Sequence, residues 1–177
     1  MTISPPRRFC VALASLACAA VLFRANVASS LVTRGDDVLR AGDAGGAIRY
    51  YGRAVRLDPN SPVAADRLAF ALLTRRHAGD AARAHDAADG ALSSAPRNLT
   101  LLVDRAFASE QLRRWREAER DFAAAASLAR DPRYAHLAAQ MARHAGDRDA
   151  ERTHLKAAVA IDATYAPARA LLARLGT

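Results

Sequence analysis

A short motif returns along this chain at the spacing of one small structural unit. Ala41-Gly42-Asp43-Ala44-Gly45-Gly46-Ala47 recurs as Ala78-Gly79-Asp80-Ala81-Ala82-Arg83-Ala84, and Ala145-Gly146-Asp147 opens a further copy. Between the last two stands a degenerate copy, Arg113-Arg114-Trp115-Arg116-Glu117-Ala118. After each turn, small or bulky residues follow at i, i+4 and i+7. These are Ala47, Tyr51 and Ala54, then Ala84, Ala88 and Ala91, then Ala118, Phe122 and Ala125, and finally Glu151, Leu155 and Ala158. The copies are 37, 34 and 33 residues apart. The i, i+4, i+7 spacing puts each set on one helical face, and a period in the range of roughly 20 to 50 residues marks an array of stacked units that share a core.

The segments before the turns are helical as well. Residues 31 to 40, 65 to 77, 99 to 111 and 133 to 144 each read as a first helix, so every unit is a helix pair. In the last of them Ala135, Ala138, Ala139 and Ala142 form a flat face for close packing, with His136, Gln140, Arg143 and His144 opposite. Stops follow the second helices at Asp58-Pro59, Ala95-Pro96 and Asp131-Pro132, because proline cannot continue a helix. Asp43, Asp80 and Asp147 stand just ahead of a helix and are placed to cap it.

Composition agrees with an all-α chain. Alanine, the best helix former, supplies 45 of the 177 residues, and the β-branched and aromatic residues that favour strands are scarce. The net charge of +8 rests on 25 arginines and one lysine, Lys156. Arginine binds phosphate well, so a nucleic-acid partner has to be weighed. The excess is better read as coding bias, since most of the cations interleave with acids. With Cys10 and Cys18 both near the N-terminus, the remainder has no disulfide and no cysteine metal site.

Residues 5 to 28 read PPRRFCVALASLACAAVLFRANVA. Arg7 and Arg8, the apolar run Phe9 to Phe23 and then Arg24 have the form of an export signal. Fifteen apolar residues span roughly 22 Å as a helix, short of the roughly 30 Å of bilayer hydrocarbon. Val27-Ala28-Ser29 is a partial match to a cleavage site, so residues 1–28 are expected to be a cleaved signal or an uncleaved anchor holding the membrane through residues 7–24. Ser15-Leu16-Ala17-Cys18 has its leucine one place too close to the cysteine for a good lipidation site. Either way, residues 29–177 are expected outside a bacterial cytoplasm, in the periplasm or at the outer face of the inner membrane.

These repeats resemble the tetratricopeptide family over about residues 28 to 177. The family's small residue in the first helix is matched by Gly35, Ala106 and Ala139, with Leu72 as a departure. Its alanine opening the second helix is matched by Ala47, Ala84 and Ala118, its bulky residue by Tyr51, Phe122 and Leu155, and its terminal Asp-Pro by Asp58-Pro59. The resemblance implies an all-α, right-handed superhelical solenoid of about four helix-turn-helix repeats plus a capping helix over Tyr165 to Leu175. It also implies a concave groove, lined by first helices, that receives a protein or peptide.

By register that groove is expected to present Phe70, Leu73 and His77 from the second repeat, Asp104 and Phe107 from the third, and His136, Gln140 and Arg143 from the fourth. Phe70 and Phe107 would be anchors or inter-repeat packing, and the basic end would receive a carboxylate or an acidic partner. No catalytic residue, cofactor or metal is expected. The histidine pairs lack the i, i+4 spacing of a shared metal, and Gly42, Gly45 and Gly46 belong to a helix turn rather than a phosphate loop. Glu110, Glu117, Glu119 and Asp121, interleaved with Arg113, Arg114, Arg116 and Arg120, read as helix-surface ion pairs. The expected function is a non-catalytic protein-interaction scaffold with no nucleic-acid partner. The alternatives are a nucleic-acid-binding repeat protein, or a non-catalytic subunit of an envelope assembly or cell-wall enzyme complex.

Overall fold

Each Ala-Gly-Asp motif contains a glycine because the backbone there is left-handed. Gly42, Gly79 and Gly146 have φ of 90°, 81° and 79°, a conformation open to glycine and costly to residues with a Cβ. In the degenerate copy Arg113 takes the same place with φ 58°. The turn geometry therefore survives where the sequence signal fades.

The computed structural model describes the backbone of residues 7–175 and, within that range, every side chain except those of residues 7–14, 16 and 17. Among the described residues the chain forms α1 (Arg7–Arg40), α2 (Ala44–Leu57), α3 (Pro62–Arg75), α4 (Asp80–Leu92), α5 (Leu99–Gln111), α6 (Trp115–Ala129), α7 (Pro132–His144), α8 (Arg148–Ile161) and α9 (Ala166–Leu175), with no strand. The pairs α1–α2, α3–α4, α5–α6 and α7–α8 are the four repeats, and α9 closes the array against α8.

Caps follow the sequence at most helix starts. Asp43 accepts from the Gly46 N–H at 2.7 Å and Asp147 from the Ala150 N–H at 3.0 Å. Ser61 and Asn98 cap α3 and α5 in the same way, and Pro62 and Pro132 open their helices where no backbone donor is needed. Asp80 departs from this expectation. Its carboxylate is buried and turns back to the Arg75 guanidinium, at 2.9 and 2.7 Å, and to the His77 N–H, so Gly79 caps α4 without a side chain. Arg75 and then burial, acting in opposite directions, leave Asp80 well below the usual carboxylate range.

The second repeat also differs in register. Ala69, Ala106 and Ala139 each lie seven residues after the first residue of their helix, and all are at most 1% exposed. The small residue of the second repeat is thus Ala69, and Leu72 is an ordinary core leucine. The three extra residues fall after it, at the α3–α4 junction. Close approach is sharpest in the first repeat, where a Cβ on Gly35 would lie 2.4 Å from the Tyr51 ring. Only glycine lets α1 and α2 meet over this fully buried tyrosine.

The core is a row of clusters rather than one centre. Tyr51, Leu68 and Leu72 belong to the first, Leu92, Leu101 and Leu102 to the next, Phe122 and Met141 to a third, and Leu155 with Ala168 to the last. This is the arrangement of a helical-repeat solenoid, in which each unit is buried by its neighbours. α1 runs unbroken through the segment read as a signal or anchor into the first repeat, and its burial begins at Ala28 and Val32. Arg24 donates to the Leu57 carbonyl at 3.2 Å, which ties the segment's last cation to the end of α2. Among the described residues no helix is long and apolar enough to cross a membrane.

Candidate functional site

The first helices of the first three repeats form a continuous layer, since α3 packs on both α1 and α5. Directly after the buried small residue of α3, α5 and α7 comes an outward position, occupied by Phe70, Phe107 and Gln140. Phe70 is 55% exposed and Phe107 37%, with the Phe107 ring edge-on to Phe122 at 5.1 Å. Two turns before Phe70, Val63 is 57% exposed. The two phenylalanines are therefore surface groups that face outward, not packing between repeats. Leu73 is half-buried and leans on the first core cluster.

One turn before each phenylalanine is an aspartate, Asp66 on α3 and Asp104 on α5. A polar chain crosses the layer to reach them. The Tyr51 hydroxyl donates to Asp36 at 2.7 Å, and Arg67 spans Asp36 at 3.3 Å and Asp66 at 3.2 Å. Burial, and then the bonded Asp36, push the Tyr51 phenol well above its ordinary value. Asp104 is 9% exposed, and its Oδ2 is sealed from solvent without a hydrogen-bond donor. Burial first, then the charge of Asp66 and a hydrogen bond with it, raise its carboxyl to about 7.

The α7 end of the first-helix face is less open than a row of basic residues suggests. Arg133 is engaged by Asp131 through both guanidinium and backbone, and His144 stacks on Trp115 at 4.8 Å. The Gln140 amide donates to His136 at 2.9 Å, and the His136 ring meets Tyr165 edge-on. Burial, and then Arg143, hold His136 below its usual value, so it is a neutral acceptor. Arg143 stays exposed, whereas His77 lies past the end of α3 in the turn, because Arg76 adopts φ 56° and stops the helix.

The acids of α6 pair chiefly with neighbouring helices, and along their own helix Arg114 reaches Glu117 at 3.7 Å as the sequence pattern suggests. Glu117 accepts from His85 of α4 at 2.8 Å, Glu119 from His154 of α8 at 2.9 Å, and Asp121 from Arg105 of α5 at 2.8 and 2.7 Å. Burial works against the Glu117 charge, but His85, Arg114 and Arg105 keep it below the carboxylate range. These pairs tie neighbouring helices together and leave the first-helix face to other work. Sequence reasoning missed Val63 and Arg67. Val63 stands seven residues before Phe70 and so on the same face, a signal hidden by the adjacent Pro62. Among the described residues no group of three or more ligating side chains could hold a metal ion.

No family model matches the chain, and no curated protein is similar to it. Solved structures do match. MamA from Desulfovibrio magneticus RS-1, residues 41 to the end, is 19% identical, with 84% of this chain and 82% of that one covered at a TM-score of 0.67. A second MamA crystal structure is 16% identical, with 80% and 81% covered at a TM-score of 0.69. At these identities the likeness is one of fold. The chain is an all-helical repeat solenoid with the fold of these structures.

Proposed function

We propose that this protein is a non-catalytic interaction scaffold that binds an extended segment of a protein partner along the first-helix face, with the repeat domain outside the cytoplasm. The observation that carries the binding reading is the apolar row of Phe70 and Phe107, exposed at matched positions of adjacent helices, with Val63 exposed two turns before Phe70. Isolated exposed apolar residues are ordinary on a protein surface, but an aligned set framed by charged groups is what an interface core looks like. The solenoid fold shared with MamA and the sequence of residues 7–24 support the reading. In it, that N-terminal segment directs export and is either removed or kept at the membrane.

One labelling experiment tests both parts. In a background with Cys10 and Cys18 changed to serine, a single cysteine is placed at Phe70 or, on α8, at Lys156. Spheroplasts are then treated with a membrane-impermeant maleimide that carries a photoreactive group. Export predicts labelling at both positions, and groove binding predicts a photo-adduct from F70C but not from K156C. Labelling only after lysis sinks the localisation, and equal adducts from both positions sink the groove.

A further inference from the structure

The part of the first-helix face built by α1, α3 and α5 is acidic around Arg67, whereas its α7 end carries the exposed Arg143. Asp36, Asp66 and Asp104 lie along the acidic part, and Arg67 is already divided between Asp36 and Asp66. Nothing positive is left for Asp104, whose Oδ2 is buried without a donor. Arg105, the arginine beside it in sequence, is turned to Asp89 of α4 and Asp121 of α6. An orphaned buried acceptor in a protein with a net charge of +8 is a cost that folding alone does not explain. The exposed ring of Phe70 stands one turn from Asp66 and that of Phe107 one turn from Asp104. Aromatic faces beside a carboxylate attract a cation and accept the alkyl stem that carries it.

We infer that the Asp66–Asp104 pair, flanked by Phe70 and Phe107, is a slot for one lysine or arginine side chain of an extended partner peptide with apolar residues on either side. This rests on the groove reading above and names what the groove selects. The cation supplies the charge partner that the buried Asp104 carboxyl lacks, and the apolar neighbours of the peptide lie on Val63 and the phenylalanine rings. Binding therefore releases a proton and tightens as the pH rises through neutrality. The groups that face the pair, or lead to it, are Asp36 from α1 and Arg67 from α3, with Arg105 of α5 held by Asp89 and Asp121.

The test uses the full chain and fluorescein-labelled heptapeptides Gly-Ser-Leu-Xaa-Leu-Ser-Gly, with Xaa arginine, lysine, norleucine or glutamate, read by fluorescence anisotropy at pH 6 and pH 8. The arginine and lysine peptides are expected to bind at least tenfold more tightly than the norleucine peptide at pH 8, and the glutamate peptide more weakly than any other. Asp66→Asn and Asp104→Asn, each confirmed as folded by circular dichroism, are expected to erase the cation preference and the pH dependence while keeping the norleucine affinity. Equal binding of arginine and norleucine peptides, no binding of the arginine peptide, or a preference that persists in both variants overturns the slot. Norleucine binding that disappears in F70A shows a groove that works without one, so the two readings fail separately.

Discussion

Arg105→Ala is expected to lower the unfolding free energy by about 3–5 kcal/mol, the range for removing one partner of a buried ion pair. The guanidinium grips Asp121 with two bonds and reaches Asp89 with a third, which joins α4, α5 and α6 through one side chain. Asp121 is 5% exposed, so without the arginine its charge is left buried and unmatched. Burial opposes the cation, yet the bonds to Asp121, followed by Asp89, hold the guanidinium more firmly protonated than usual. Because the junction lies mid-array, its loss also weakens the coupling between the two halves of the solenoid. Urea unfolding followed by circular dichroism measures both effects, as a lower midpoint and a broader or split transition. Arg105→Met with Asp121→Leu should recover most of the stability, since the buried charge is then gone. A loss below about 1 kcal/mol for the alanine variant would mean that the pair is solvated and holds nothing together.

Asp104→Asn is expected to stabilise the protein at alkaline pH and to do nothing near pH 4. The folded carboxyl titrates at about 7, above the unfolded value near 4, so between these limits the folded chain keeps a proton that the unfolded chain has released. Stability therefore falls as the pH rises from about 4 to about 7 and levels off above that. Three units at about 1.4 kcal/mol each give a loss of roughly 4 kcal/mol. Asparagine matches the size and carries no charge, so the variant escapes this fall. Urea titrations of both proteins between pH 4 and pH 8 should give curves that diverge with pH, the variant on top. Parallel curves would show that Asp104 is ionised and comfortable in the folded chain.

The helices and turns were legible because each rests on local chemistry. Gly42, Gly79 and Gly146 mark left-handed turns, Asp43 and Asp147 cap by their own geometry, and the i, i+4, i+7 faces anticipate Tyr51, Phe122 and Leu155 in the core. What depends on the packing of two helices was hidden. The inserted residues of the second repeat moved its small position from Leu72 to Ala69, and only the start of α3 at Pro62 reveals that shift. Ion pairs between α4, α5, α6 and α8 look in sequence like neighbours on one helix, because charge alternation is the same in both cases. Phe70 and Phe107 were identified by register, but the raised carboxyl of Asp104 depends on burial and on Asp66, 38 residues away in the chain, and leaves no local trace.

The groove is tested most directly by the double variant F70A/F107A, assayed for binding to the partner captured from position 70. Phe70 is mostly exposed and Phe107 rests edge-on against Phe122, so the fold should persist with a modestly lower melting temperature, while interface aromatics of this kind carry about 2 kcal/mol or more each. The expected result is at least a hundredfold weaker binding with an unchanged circular dichroism spectrum. Wild-type affinity in the folded double variant would place the partner elsewhere and contradict the assignment of this face as the binding surface.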